Sequence, residues 1–151
     1  MIRRALEQAR TAYEMVPSEE ASDLWTRIYN IARSEFPALQ MAPPAKKGSQ
    51  SKWLIFKADL PPRVTIDWKI TKGTVDLSFW KAARPYPTSD TALTNLPGAR
   101  FVTLGDTVAI SLSLPKPAGL WTDLDDAEIR TALTSAQSLL KFYRSENTQF
   151  S

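Results

Sequence analysis

The run from Arg63 to Trp80 alternates polar and apolar residues on both sides of one short interruption, Thr71-Lys72-Gly73-Thr74. Alternation with a period of two suits a strand that buries one face, so the run reads as two strands joined by a tight turn. If Lys72-Gly73 is a two-residue loop, counting outward pairs Thr71 with Thr74, Ile70 with Val75, Lys69 with Asp76, Trp68 with Leu77, Asp67 with Ser78 and Ile66 with Phe79. Apolar residues then meet apolar residues and polar meet polar. A slip of one residue would set each apolar side chain against a polar one. The expected buried set is Ile66, Trp68, Ile70, Val75, Leu77 and Phe79.

The rest of the chain arranges itself around this hairpin. Ile2, Ala5, Leu6, Ala9, Tyr13 and Val16 recur at helical spacing, and Pro17 closes the segment. Ser18, with Glu19 and Glu20 behind it, caps a second helix burying Ala21, Leu24, Trp25, Ile28, Ala32 and Phe36 before Pro37. Residues 38–51 hold Pro43, Pro44 and Gly48 and read as a loop. Trp53-Leu54-Ile55-Phe56 is apolar throughout, as in a strand covered on both faces.

A long crossing with Pro85, Pro87 and Pro97 leads to a second hairpin, where Gly105-Asp106 suits a turn that needs positive φ at its first central residue. That turn sets Phe101 against Ile110, Val102 against Ala109 and Thr103 against Val108. Asp125-Asp126-Ala127-Glu128 has the spacing of a capping box, opening a helix that buries Ile129, Ala132, Leu133, Ala136, Leu140 and Tyr143. The expected fold is α+β in the order ααβββββα: a meander of hairpins forming an antiparallel sheet of about five strands. Two N-terminal helices and one C-terminal helix complete it. A single domain is expected over 1–151, with 1–37 helical, 38–51 a loop, 52–114 the sheet and 123–145 the last helix.

Composition restricts the chemistry. The 151 residues include no Cys and no His, so thiol nucleophiles, imidazole bases and imidazole or thiolate metal ligands are excluded within this chain. Neither a metal nor another cofactor is expected. No apolar run approaches the roughly 18 residues of a spanning helix, so no membrane association is expected, and a disulfide-free chain fits the cytoplasm. Net charge is +3, but its distribution is uneven. Residues 46–100 carry ten Lys and Arg against four Asp, while the flanking thirds are slightly acidic.

The polar face of the first hairpin presents Arg63, Thr65, Asp67 and Lys69 on one strand and Thr74, Asp76, Ser78 and Trp80 on the next. A four-residue loop over 59–62 would pair Ala58 with Arg63 and bring Lys52, Leu54 and Phe56 onto that face. Aromatic side chains ringed by cations on a sheet suit single-stranded nucleic acid, whose bases stack while basic groups hold the backbone. The candidate contact residues are therefore Lys52, Phe56, Arg63, Lys69, Lys72, Trp80, Lys81 and Arg84. The expected function is a non-catalytic binding module with nucleic acid, or an acidic protein surface, as partner. An alternative is a protein–protein interaction domain of a larger assembly, using the N-terminal helix or a sheet edge. If a helix covers the face, Leu54, Phe56 and Trp80 are core instead. The sequence leaves the oligomeric state open.

Asp67-Trp68-Lys69 has the (D/E)-x-K form and resembles the signature of the PD-(D/E)XK nucleases. The resemblance covers three residues. It implies a metal-dependent nuclease in which Asp59 and Asp67 hold a divalent ion and Lys69 positions water. Ala58-Asp59 stands where that family has Pro-Asp. The hairpin offers Lys69 another role, as the cross-strand partner of Asp76.

Overall fold

The computed structural model describes residues 15–16, 19–41, 50–51, 53–56, 58–82 and 96–146. Its architecture is α+β. Five strands form one antiparallel sheet: β3 (Trp53–Phe56), β4 (Val64–Lys69), β5 (Thr74–Trp80), β6 (Ala99–Leu104) and β7 (Thr107–Ser113). Two-residue strands β1 (Met15–Val16) and β2 (Gln50–Ser51) pair separately. Helix α1 spans Glu19–Glu35 and α2 spans Asp126–Glu146. Two helices are therefore described, against three expected. The first expected helix lies outside the described residues, except that Met15 and Val16, at its end, form β1.

The strand order is β3-β4-β5-β7-β6, which corrects the simple meander. The crossing after β5 places β6 at the sheet edge, and β7 returns beside β5. The burial of the two strands explains the choice. β7 carries the fully enclosed Val108, Ala109 and Ile110, whereas β6 leaves Arg100 and Thr103 exposed. An interior position suits the first and an edge the second.

The first hairpin keeps its expected faces but shifts by two residues. Trp68 stands opposite Val75, Ile66 opposite Leu77 and Val64 opposite Phe79. Ile70–Lys72 form a 3₁₀ turn, and Gly73 adopts φ 67°, donating its N–H to Lys69 O at 2.9 Å. The connection thus holds four residues rather than two, and Ile70 packs into the core from within it. An even shift preserves the side of every residue, so all six expected core residues are buried. In the second hairpin the expected register holds at every pair, with Gly105 at φ 57°.

One sheet face is covered by α2, which packs on β4 and β5, while α1 packs on α2 and on the turn Trp121–Asp123. The apolar side of α1 buries Leu24, Trp25, Ile28 and Ala32, and Phe36 is buried just past its end. The α2 capping box forms as expected: Glu128 N–H donates to Asp125 Oδ1 at 2.7 Å and Asp125 N–H donates to Glu128 Oε1 at 2.9 Å. No helix among the described residues is long and apolar enough to cross a membrane.

Candidate functional site

The face of the sheet opposite α2 carries the candidate residues. By alternation and register it presents Trp53 and Ile55 on β3, Thr65, Asp67 and Lys69 on β4, and Thr74, Asp76, Ser78 and Trp80 on β5. β7 adds Thr107, Ala109 and Ser111 beside them. The centre of this face is closed to solvent: Asp67, Lys69, Asp76, Ser78 and Ser111 are all buried. Lys69 Nζ lies 2.9 Å from Asp76 Oδ2. Ser78 Oγ donates to Asp67 Oδ2 at 3.2 Å. The Lys69 ammonium also sits 4.4 Å from the centroid of the Trp53 ring, a favourable cation–π distance. Asp67 and Asp76 stand directly opposite each other, an arrangement that opposes like charges, and Lys69 offsets it by reaching diagonally to Asp76.

This burial changes what the face can do. Lys69 is enclosed with its ion-pair partner rather than presented to a phosphate. Phe56 is not on this face at all; it pairs with Ile66 and is buried in the core on the other side of the sheet, as is Leu54. The pairing of β3 with β4 differs from the expected one by an odd number, so the whole strand is turned over and Trp53 and Ile55 face outward instead. Trp53 is thus a member of the face that sequence reasoning missed. Its signal, an indole in the same strand as the expected Lys52 and Phe56, depended on a register that an all-apolar strand does not fix.

The remaining residues separate to the two ends of the sheet. At one end, exposed Lys72 lies 5.7 Å from the Trp53 ring. At the other, Arg63, Trp80 and Lys81 come together. Trp80 N–H donates to the Arg63 carbonyl at 3.2 Å, and Lys81 N–H donates to the Asp106 carbonyl at 2.8 Å. These bonds tie the start of β4, the end of β5 and the β6–β7 turn into one corner. Trp80 and Lys81 are half-buried there, and Arg63 is exposed. Arg63 is also the one non-glycine residue among those described with positive φ, at 70°. Such a conformation carries strain in a residue with a Cβ and draws notice to the position. Lys52 and Arg84 lie outside the described residues.

Asp67 and Lys69 do share one strand face, as a (D/E)-x-K arrangement requires. Both are enclosed, however, and Lys69 contacts Asp76, while Asp59 sits exposed on the loop before β4. Among the described residues, no three acidic, His or Cys side chains gather as a metal site would need.

A cavity of about 310 Å³ lies at the start of α2, floored by Trp68, Ile70, Leu114 and Leu124. Its principal polar group, Glu128, is engaged: Oε1 accepts from Asp125 N–H and Oε2 from Ala118 N–H at 3.2 Å. Lys116 also lines it, on the segment between β7 and α2. Compared with known proteins, the chain matches no family model, no curated protein and no solved structure.

Proposed function

We propose that the protein is a non-catalytic binding module that takes single-stranded nucleic acid at the corner formed by Arg63, Trp80 and Lys81. The observation that supports this reading is the backbone bond from Trp80 to Arg63, which brings a half-buried tryptophan and two basic residues, Arg63 and Lys81, together in the main chain. An indole face accepts any base by stacking, worth about 1–3 kcal/mol per base, and the flanking cations meet the phosphates on either side. The excess of Lys and Arg in residues 46–100 supplies a wider field that attracts a polyanion. Lys69 and Asp76 contribute no net charge to that field; they link β4 to β5 away from the corner, toward the 70–73 turn.

An acidic protein surface would answer to the same charges but would gain little from stacking on Trp80. The two partners are therefore distinguished by Trp80→Ala, which weakens oligonucleotide binding and leaves a purely electrostatic contact nearly intact. Fluorescence anisotropy of a labelled single-stranded oligonucleotide with the wild type, Arg63→Ala and Trp80→Ala tests the assignment. A cytoplasmic location fits a chain without cysteine.

A further inference from the structure

β6 is an edge strand of the five-stranded sheet with no further strand beside it among the described residues, and its outward backbone can be identified residue by residue. The two-residue turn Gly105-Asp106 is closed by Leu104 and Thr107. In a hairpin of this kind the closing pair exchanges both backbone bonds, and every second pair does the same. Leu104, Val102 and Arg100 therefore direct their N–H and C=O groups inward to β7. Phe101 and Thr103 direct theirs outward, where no described residue bonds them. Within β6 itself there is no Pro and no Lys, and its one charged residue is Arg100. The opposite edge differs. β3 is only four residues long and carries a bridge from Met41 to Phe56.

We infer that β6 is a docking strand for β6 of a second copy of this chain, joining two five-stranded sheets into one of ten strands. Its sequence is complementary to itself. In an antiparallel register centred on Val102, Phe101 stands opposite Thr103 of the second copy, and both carry the outward-directed groups that such a pair must exchange. Val102 meets Val102 and both are only half-buried in one copy, leaving apolar surface to cover. Arg100 falls opposite Leu104, so no like charges face each other. The contact is isologous and consumes the open edge of both copies, while the bridged β3 edge gives the enlarged sheet no equivalent site for growth. The assembly closes at two.

Sedimentation equilibrium across a wide dilution series tests this on the intact chain. The expected result is a reversible monomer–dimer equilibrium approaching twice the chain mass. Thr103→Pro removes an outward N–H that bonds nothing within the sheet, so it leaves the fold, checked by circular dichroism, and abolishes the dimer. Val102→Lys sets like charges against each other at the centre of the contact and abolishes it by a different route. Hydrogen exchange supplies an independent readout: amides of Phe101 and Thr103 are expected to slow as concentration rises. A wild type that stays monomeric at every concentration overturns the inference. So does a dimer that both variants leave intact.

Discussion

Lys69 and Asp76 are bound to each other inside the protein, 2.9 Å apart, although neither stands opposite the other across the strands. Thr74 faces Lys69, and Asp67 faces Asp76. The lysine crosses the ladder diagonally and neutralises one of two opposed carboxylates. Asp76 Oδ1 accepts no hydrogen bond, so the carboxylate relies on Lys69 at its other oxygen. Removing one partner strands a buried charge and is expected to cost about 3–5 kcal/mol, whereas an apolar pair of similar volume can match an ion pair. Lys69→Met alone should therefore lower the urea midpoint sharply. Lys69→Met combined with Asp76→Leu should recover most of that loss.

Trp68 has 2% of its surface exposed and is among the largest side chains fully enclosed by the sheet and α2. Trp68→Ala is expected to destabilise the protein by about 3–5 kcal/mol, the range for removing a large aromatic from a core. Denaturant unfolding monitored by far-ultraviolet circular dichroism measures it. A loss below 1 kcal/mol, taken as roughly the scale of a surface change, would contradict the packing described.

Arg63 separates stability from binding. Holding a residue with a Cβ in the left-handed region costs about 1–2 kcal/mol, which glycine avoids. Glycine loses more chain entropy on folding, about 0.5–1 kcal/mol. Arg63→Gly is therefore expected to keep the melting temperature or raise it slightly while weakening oligonucleotide binding. Arg63→Ala retains the strain and loses the same charge.

The two helices are joined by exposed ion pairs, Arg27 with Asp126 at 2.6 Å and Arg130 with Glu35 at 3.0 Å. The hydrogen bond from Arg27 holds the Asp126 carboxyl below its ordinary range. A carboxyl with a lowered folded pKa contributes stability that is complete above its unfolded pKa and is lost as pH falls through the folded value. Asp126→Asn should therefore flatten the acid limb of the melting-temperature profile, with a small effect near neutrality because the pair is exposed. Salt should shrink the difference between the two proteins.

How far the sequence foretold this molecule depended on what kind of signal each element carried. The α2 capping box was legible because Asp125 and Glu128 satisfy each other locally, and the β6–β7 register because Gly105-Asp106 defines the loop length. At β4–β5, alternation specified faces but not register, since a shift of two residues leaves every apolar pair apolar; only the loop length decides, and Ile70 joined the loop. At β3, four consecutive apolar residues carry no alternation, so nothing local chose whether Trp53 or Phe56 would face the core. The closing of the polar face over Asp67, Lys69 and Asp76 was equally hidden. Alternation tells which residues share a side, not whether that side meets water.

Salt-dependent anisotropy with a labelled oligonucleotide tests the contact of Arg63, Trp80 and Lys81 with single-stranded nucleic acid. Two phosphate contacts predict a log–log slope of affinity against salt of about −1.4 for a single strand. Arg63→Ala should reduce the magnitude of that slope by about 0.7. Trp80→Ala should weaken binding by about 1–3 kcal/mol at every salt concentration, with the slope unchanged. Absence of binding at low salt, or binding that neither substitution weakens, would rule out this corner as a nucleic-acid contact.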